Sequence, residues 1–206
     1  SNASIRTLTP LQGPLSPPRE TPVAGRPLVN LTFAINYATD GLGVRGYHVT
    51  NIAIHVGVAL LLFGVIRRTL VLSGSRLTAS SDDLAWAAAL VWLVHPLQTD
   101  AVNYVTQRTE LMMAACYLLT FYAAIRARDA RGWAVVAVAA CFAGTGSKES
   151  MATAPLLLLL YDRIFVYRTW KDAWRDQSFA RRVRRLGHGA ARRPAIRPHR
   201  LWREGT

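Results

Sequence analysis

Apolar stretches separated by polar clusters of two alternating kinds constrain this chain more than any other feature. Every second cluster is plainly cationic: Arg67, Arg68 and Arg76, then Arg126, Arg128 and Arg131, then Arg163, Arg168 and Lys171. The clusters between them are chemically mixed: Arg26-Pro27, His95-Pro96 through Glu110, and Ser147-Lys148-Glu149. If the apolar stretches cross a bilayer, the mixed clusters share one face and the cationic clusters share the other. Basic residues in short loops mark the cytoplasmic side. The mixed clusters then lie outside, which predicts a polytopic membrane protein with an outer polar site.

The expected fold is an all-α, polytopic membrane helix bundle of about five spans, some short or kinked. The expected spans are Tyr47–Ile66, closed by Arg67-Arg68, then Leu84–Val94, Leu111–Ile125, Trp133–Thr145 and Ser150–Val166. His95-Pro96 ends or kinks the second, and Gly144 and Gly146 break the fourth. Residues 97–109 are too polar to cross. Several spans fall short of the usual ~20 residues, which is tolerated inside a bundle.

Residues 1–27 read as an extended outer loop, because its prolines preclude a long helix. Residues 28–40 predict a short helix along the membrane interface, with Leu28, Leu31, Phe33 and Ile35 as its apolar groups. The chain thus divides into an outer loop (1–27), a transmembrane region (28–176) and a basic, disordered tail (177–206). The net charge of +13 is uneven, since residues 178–206 hold nine Arg against one Glu. That tail reads either as a cytoplasmic basic extension or as an out-of-frame translation of GC-rich DNA. Charge carried by a tail and loops argues against nucleic acid as a partner.

Cys116 and Cys141 lie inside apolar segments with no metal or redox spacing, so they read as small core hydrophobes. Walker, dinucleotide, zinc and nucleophile-elbow motifs are absent. No metal site is expected.

The candidate site residues come from the outer clusters. Lys148-Glu149 follows a flexible Gly-Thr-Gly-Ser stretch and precedes a helix, a setting that suits an anion such as phosphate. Arg108 offers a planar fork for phosphate or carboxylate. Glu110 or Asp100 is placed to orient it or to accept a hydroxyl proton. His95 precedes Pro96 and either shapes a helix end or faces a ligand. Arg26 either holds a headgroup or snorkels. The bland alternatives are an Arg108–Glu110 structural bridge and an interfacial Lys148–Glu149 pair. His48, Asn51 and His55 recur on one helix face, for interhelical hydrogen bonding or for a ligand.

Three blocks, RPLVNLTFAINYATDGLGVRGYHVTN, HPLQTDAVNYVTQRTELMMAACYLL and SKESMATAPLLLLLYDRIF, stand in order over about residues 4–176. Together they resemble the membrane region of bacterial proteins related to the TMTC-type (transmembrane and tetratricopeptide repeat) protein O-mannosyltransferases of the GT-C superfamily. The resemblance implies an enzyme that takes a sugar, mannose by analogy, from a polyprenyl- or dolichyl-phosphate carrier. It would pass the sugar to a hydroxyl acceptor such as protein Ser or Thr. It implies membrane lipids, the lipid-linked donor and a protein acceptor as partners, and the bacterial inner membrane with a periplasmic site as location. Arg26, His95, Arg108, Lys148 and Glu149 are then candidates for the lipid-phosphate and sugar environment. Asp100 and Glu110 are secondary carboxylates. The main catalytic acid of such enzymes sits in the first outer loop, which here would lie upstream of Ser1. The later helices and the repeats are not seen, so the chain is expected to be a fragment inactive alone. No firm cofactor or metal need follows. The competing reading is a non-catalytic membrane anchor for a repeat protein. A further one is a small transporter or lipid-binding bundle that depends on His55.

Overall fold

The structure is a computed structural model and describes residues 2–74, 76–167 and 170–171. Every regular element among them is helical. The α-helices are α1 (Gln12–Leu15), α2 (Pro27–Asp40), α3 (Val44–Ser73), α4 (Ser81–Leu93), α5 (Thr99–Asn103), α6 (Arg108–Arg126), α7 (Gly132–Thr145) and α8 (Ala154–Phe165). Short 3₁₀ turns connect several of them. The expectation of disorder or a frameshift in residues 177–206 lies outside the described residues.

The all-α expectation holds. The count of about five spans does not follow from helix length. Among the described residues one helix, α3, is long and apolar enough to cross a membrane, and α7 is a shorter apolar helix. Residues Arg67 and Arg68 do not close α3, which runs on to Ser73 and stops at left-handed Gly74. Charge ends an apolar window, but a helix needs a backbone reason to end. Pro155 in the first turn delays α8 to Ala154, leaving Glu149–Thr153 as a 3₁₀ turn. Gly144 does not break α7 either, since it lies inside the helix. An added Cβ there would sit 2.6 Å from Met151 and 3.0 Å from Cys116. Gly144 is therefore a contact point that lets α7 approach α6.

Residues 1–27 contain no long helix, but the segment is not simply extended. Single turns form at Ala3–Ile5 and Gln12–Leu15. Buried Asn30 of α2 holds them, because its Nδ2 donates to Ser4 Oγ (2.9 Å) and to the Pro14 carbonyl (2.8 Å). On α2 the buried face is Val29, Asn30, Phe33, Ala34 and Asn36, while Ile35, expected among the apolar anchors, is exposed. Val23, Val29, Phe33 and Tyr47 form the apolar core there.

Helix α6 is central and lies between α3 and α7, while α4 packs on α3. α3 and α6 run parallel. Asn51 and Arg108 meet near their starts, and Gly64 and Tyr122 meet near their ends. On α3 and α4 many large apolar side chains face outward. α4 buries Ser81, Ala85 and Ala89 and exposes Leu84, Trp86, Leu90 and Val91. α3 buries Tyr47, Asn51, His55, Val58 and Ala59 and exposes Val49, Ile52, Val56 and Leu60. A bundle in water places its large apolar groups inside. Small and polar residues between helices, with large apolar ones outside, is how helices associate in lipid.

The basic clusters gather at one end. Arg68 Nη1 donates to Asp129 Oδ2 at 2.8 Å, joining α3 to the turn after α6. Arg128 pairs with Asp162 of α8. Thr69 and Tyr161 hydroxyls share a 2.8 Å hydrogen bond. The mixed clusters lie at the other end, around the start of α6.

Candidate functional site

Arg108 opens α6 and is fully buried. Its Nε donates to Asn51 Oδ1 at 2.8 Å and its Nη2 to the Tyr47 carbonyl at 2.9 Å. Its Nη1 donates to Asn36 Oδ1 and, at 3.4 Å, to Thr32 Oγ1. The guanidinium carbon stands 4.5 Å from the Phe33 ring centre and 5.7 Å from that of Tyr47. One cation therefore ties α2, α3 and α6 together. A guanidinium stays charged at neutral pH. All four acceptors are neutral, which leaves its charge without a carboxylate among these contacts.

The alternative of an Arg108–Glu110 bridge does not form. Glu110 instead pairs with Lys148 across from the loop after α7. Residues two apart on a helix point to different sides, and each finds its own partner. Lys148 and Glu110 are 31% and 40% exposed, so this pair is open to solvent. Lys148 heads the five-residue 3₁₀ turn Glu149–Thr153, not the start of α8. The backbone N–H groups that follow Lys148 therefore belong to a 3₁₀ turn that leads into α8. Glu149 is exposed in that turn. Ser147 beside it is fully buried, and its Oγ has no hydrogen-bond partner.

The remaining candidates serve local turns. His95 is exposed and its Nδ1 accepts from Leu97 N at 3.2 Å, capping the turn Pro96–Gln98. Arg26 precedes α2 and its Nη1 donates to the Pro22 carbonyl at 3.1 Å. Asp100 is exposed in the first turn of α5. Among the described residues no hydrogen bond or ion pair joins Arg26, His95 or Asp100 to the Lys148–Glu110 pair.

The polar face of α3 is used between helices. Asn51 Nδ2 donates to the Val102 and Tyr104 carbonyls at 3.3 and 3.4 Å. His55 Nε2 donates to the Leu93 carbonyl at 3.0 Å, and its ring lies 4.8 Å from that of Trp92. His55 Nδ1 is buried without a partner. Asn36, Thr32 and Tyr47 are parts of this end that sequence reasoning missed. The available signal was an Asn inside an otherwise apolar helix, at Asn30 and Asn36, since such a residue needs a buried partner.

The outer end thus combines a rigid internal clamp with an open lysine–glutamate pair and an exposed aspartate. Lys148, Glu110 and Asp100 reach solvent there, a cation with carboxylates suited to anion binding and proton acceptance.

No family model matches the chain, and no solved structure matches it. Curated relatives do. The chain is 38% identical over 107 residues to protein O-mannosyl-transferase Tmtc3 of Drosophila melanogaster, an alignment covering 47% of the chain and 12% of that protein. It is 32% identical over 139 residues to Tmtc1 of the same organism, covering 66% of the chain and 15% of that protein. It is 37% identical over 103 residues to human TMTC4, covering 47% and 14%. The chain therefore spans only 12–15% of the length of these relatives. Over those aligned stretches it is similar in sequence to the TMTC-type protein O-mannosyl-transferases.

Proposed function

We propose that this chain is part of a membrane glycosyltransferase that moves a hexose, mannose by its relatives' names, onto a hydroxyl acceptor. The observation that carries the reading is the similarity to proteins named O-mannosyl-transferases. The apolar belt on α3 and α4 supports a bilayer setting, with α3, α4, α6, α7 and α8 as spans. The gathering of Arg67, Arg68, Arg126 and Arg128 at one end supports a cytoplasmic side there. The Lys148–Glu110 end then faces outward, to the periplasm of a bacterial inner membrane. Residues 1–27 form the outer segment, and 28–176 the GT-C-like region.

In this reading the donor is a polyprenyl- or dolichyl-phosphate sugar and the acceptor is a protein Ser or Thr. The acceptor oxygen attacks the anomeric carbon, and the bond from that carbon to the phosphate oxygen breaks. A carboxylate takes the hydroxyl proton, and the lipid phosphate leaves with the electron pair. Lys148 is the cation best placed for the departing phosphate, because it is accessible. Arg108 supports the site from within by fixing α6 against α2 and α3. Asp100 and Glu110 are the carboxylates proposed for proton acceptance.

The test is a chimera. The 206-residue chain replaces the matching segment of Drosophila Tmtc3 in membranes supplied with polyprenyl-phosphate mannose and a Ser/Thr peptide. Transfer by the chimera, its loss in Lys148→Ala, and no transfer by the chain alone are expected. A correctly inserted chimera that transfers equally well with Lys148→Ala removes the lysine from the mechanism.

A second reading, a non-catalytic anchor for a repeat protein, is favoured by one observation: the fork of Arg108 is taken up by protein acceptors. A chimera that inserts, folds and never transfers supports it.

A further inference from the structure

A groove of about 650 Å³ runs between α3 and α6 at the end opposite the Lys148–Glu110 pair. Leu60, Leu61 and Gly64 are among its apolar lining, and Arg67, Arg68 and Arg126 stand at its mouth. We propose that this groove binds one anionic phospholipid, its phosphate among the three arginines and an acyl chain along the apolar floor. The proposal rests on the membrane setting argued above, but not on sugar transfer.

Charge and shape both point to this occupant. Arg67 pairs with Asp82 at 2.6 Å and Arg68 with Asp129 at 2.8 Å. Arg126 has no carboxylate partner among the described residues. Its Nη1 donates to the Tyr122 hydroxyl at 3.2 Å, and the guanidinium sits 4.7 Å from the Trp133 ring centre. Its Nε is buried with no hydrogen-bond partner. Three guanidiniums against two carboxylates leave one positive charge at the mouth, and a phosphodiester carries one negative charge. Basic pockets between helices on the cytoplasmic side are the usual seats of anionic headgroups. From Ile54 to Arg67 the floor is about 20 Å long at ~1.5 Å per residue. That accommodates the roughly 15 Å depth of one leaflet's hydrocarbon.

The floor is open at Gly57, where an added Cβ would meet nothing within 4 Å. At Gly64 an added Cβ would lie 2.7 Å from the Tyr122 ring, so that glycine seats the tyrosine that Arg126 covers. A side chain added at Gly57 therefore starts in open space on the groove's lining.

The full chain is purified in mild detergent, and lipid binding is read by native mass spectrometry against added phosphatidylglycerol or phosphatidylcholine. One bound phosphatidylglycerol is expected, with phosphatidylcholine several-fold weaker. Gly57→Phe and Arg126→Gln should each weaken phosphatidylglycerol at least about fivefold while eluting as the native species. Gly57→Phe keeps the test decisive if Arg126→Gln fails to fold. Equal binding of the two lipids, or full binding by Gly57→Phe, overturns the proposal. So does competition by inorganic phosphate at the lipid's own concentration, because the acyl chain would then contribute nothing. Carbonate extraction of membranes tests the membrane setting separately. A chain released into the aqueous fraction sinks that setting whatever the lipid titration shows.

Discussion

Replacing Arg108 with Met tests whether the buried cation holds the outer end together. Methionine keeps an unbranched apolar stem and removes every donor. Asn36 Oδ1 and Asn51 Oδ1 then lose a charged donor inside the protein. A buried acceptor left unpaired costs about 1–3 kcal/mol. The cation–π contact with Phe33 is worth about 0.5–2 kcal/mol, and a sulfur–ring contact at ~0.3–1.5 kcal/mol replaces part of it. Desolvation of the guanidinium works the other way, because the fully buried cation gives up its hydration. The partners left behind are neutral amides, so no stranded charge adds to the loss. A net cost of about 3 kcal/mol is expected from two unpaired acceptors after that offset. At roughly 2–4 °C per kcal/mol for a chain of this size, the Tm should fall by about 6–12 °C. Arg108→Lys keeps the charge and loses the fork, so it should fall between the two. The assay is thermal unfolding of detergent-solubilised protein followed by size-exclusion recovery. If Arg108→Met melts at or above the native temperature, desolvation outweighs the hydrogen bonds and the clamp argument is wrong.

Gly144→Val should destabilise by about 1–3 kcal/mol, because its Cβ would overlap Met151; adding Met151→Ala should restore part of the loss in the same melting assay. Glu110→Gln breaks a solvent-open pair and should change stability by no more than about 1 kcal/mol, so a large melting shift would mean that the pair is structural. In a Cys116→Ala, Cys141→Ala background, Thr99→Cys should react with an impermeant maleimide on intact cells, and Ala130→Cys only after permeabilisation. Both positions are exposed, and the reverse labelling would invert the orientation.

The helices were legible because apolar windows separated by Pro, Gly and charge carry both composition and position. Their ends were less so. Arg67 and Arg68 change the polarity of α3 without giving the backbone a reason to stop, while Gly74 does. Gly144 looks in sequence like a breaker, and only the approach of Met151 and Cys116 shows it to be a contact. The site was half legible. Lys148 and Glu110 were both singled out, but their pairing spans thirty-eight positions and no local pattern reports it. Arg108 was singled out as a ligand for phosphate. Its neighbours Asn36 and Tyr47 come from other helices, and their enclosure of it is a tertiary fact.

The inequality of helix lengths has a consequence for biogenesis. In a bilayer α3 is the one helix among those described that satisfies the insertion threshold by itself. α4, α7 and α8, at 13, 14 and 12 residues, are too short to partition as lone segments. If they span the membrane as proposed, they need company, with α3 already present as the wall against which α4 and α6 assemble. A released chain ending just after Ser73 should therefore resist carbonate extraction. A chain of similar length starting at Ser81 should not, and its short helices would wait in the channel for a partner that synthesis never supplied.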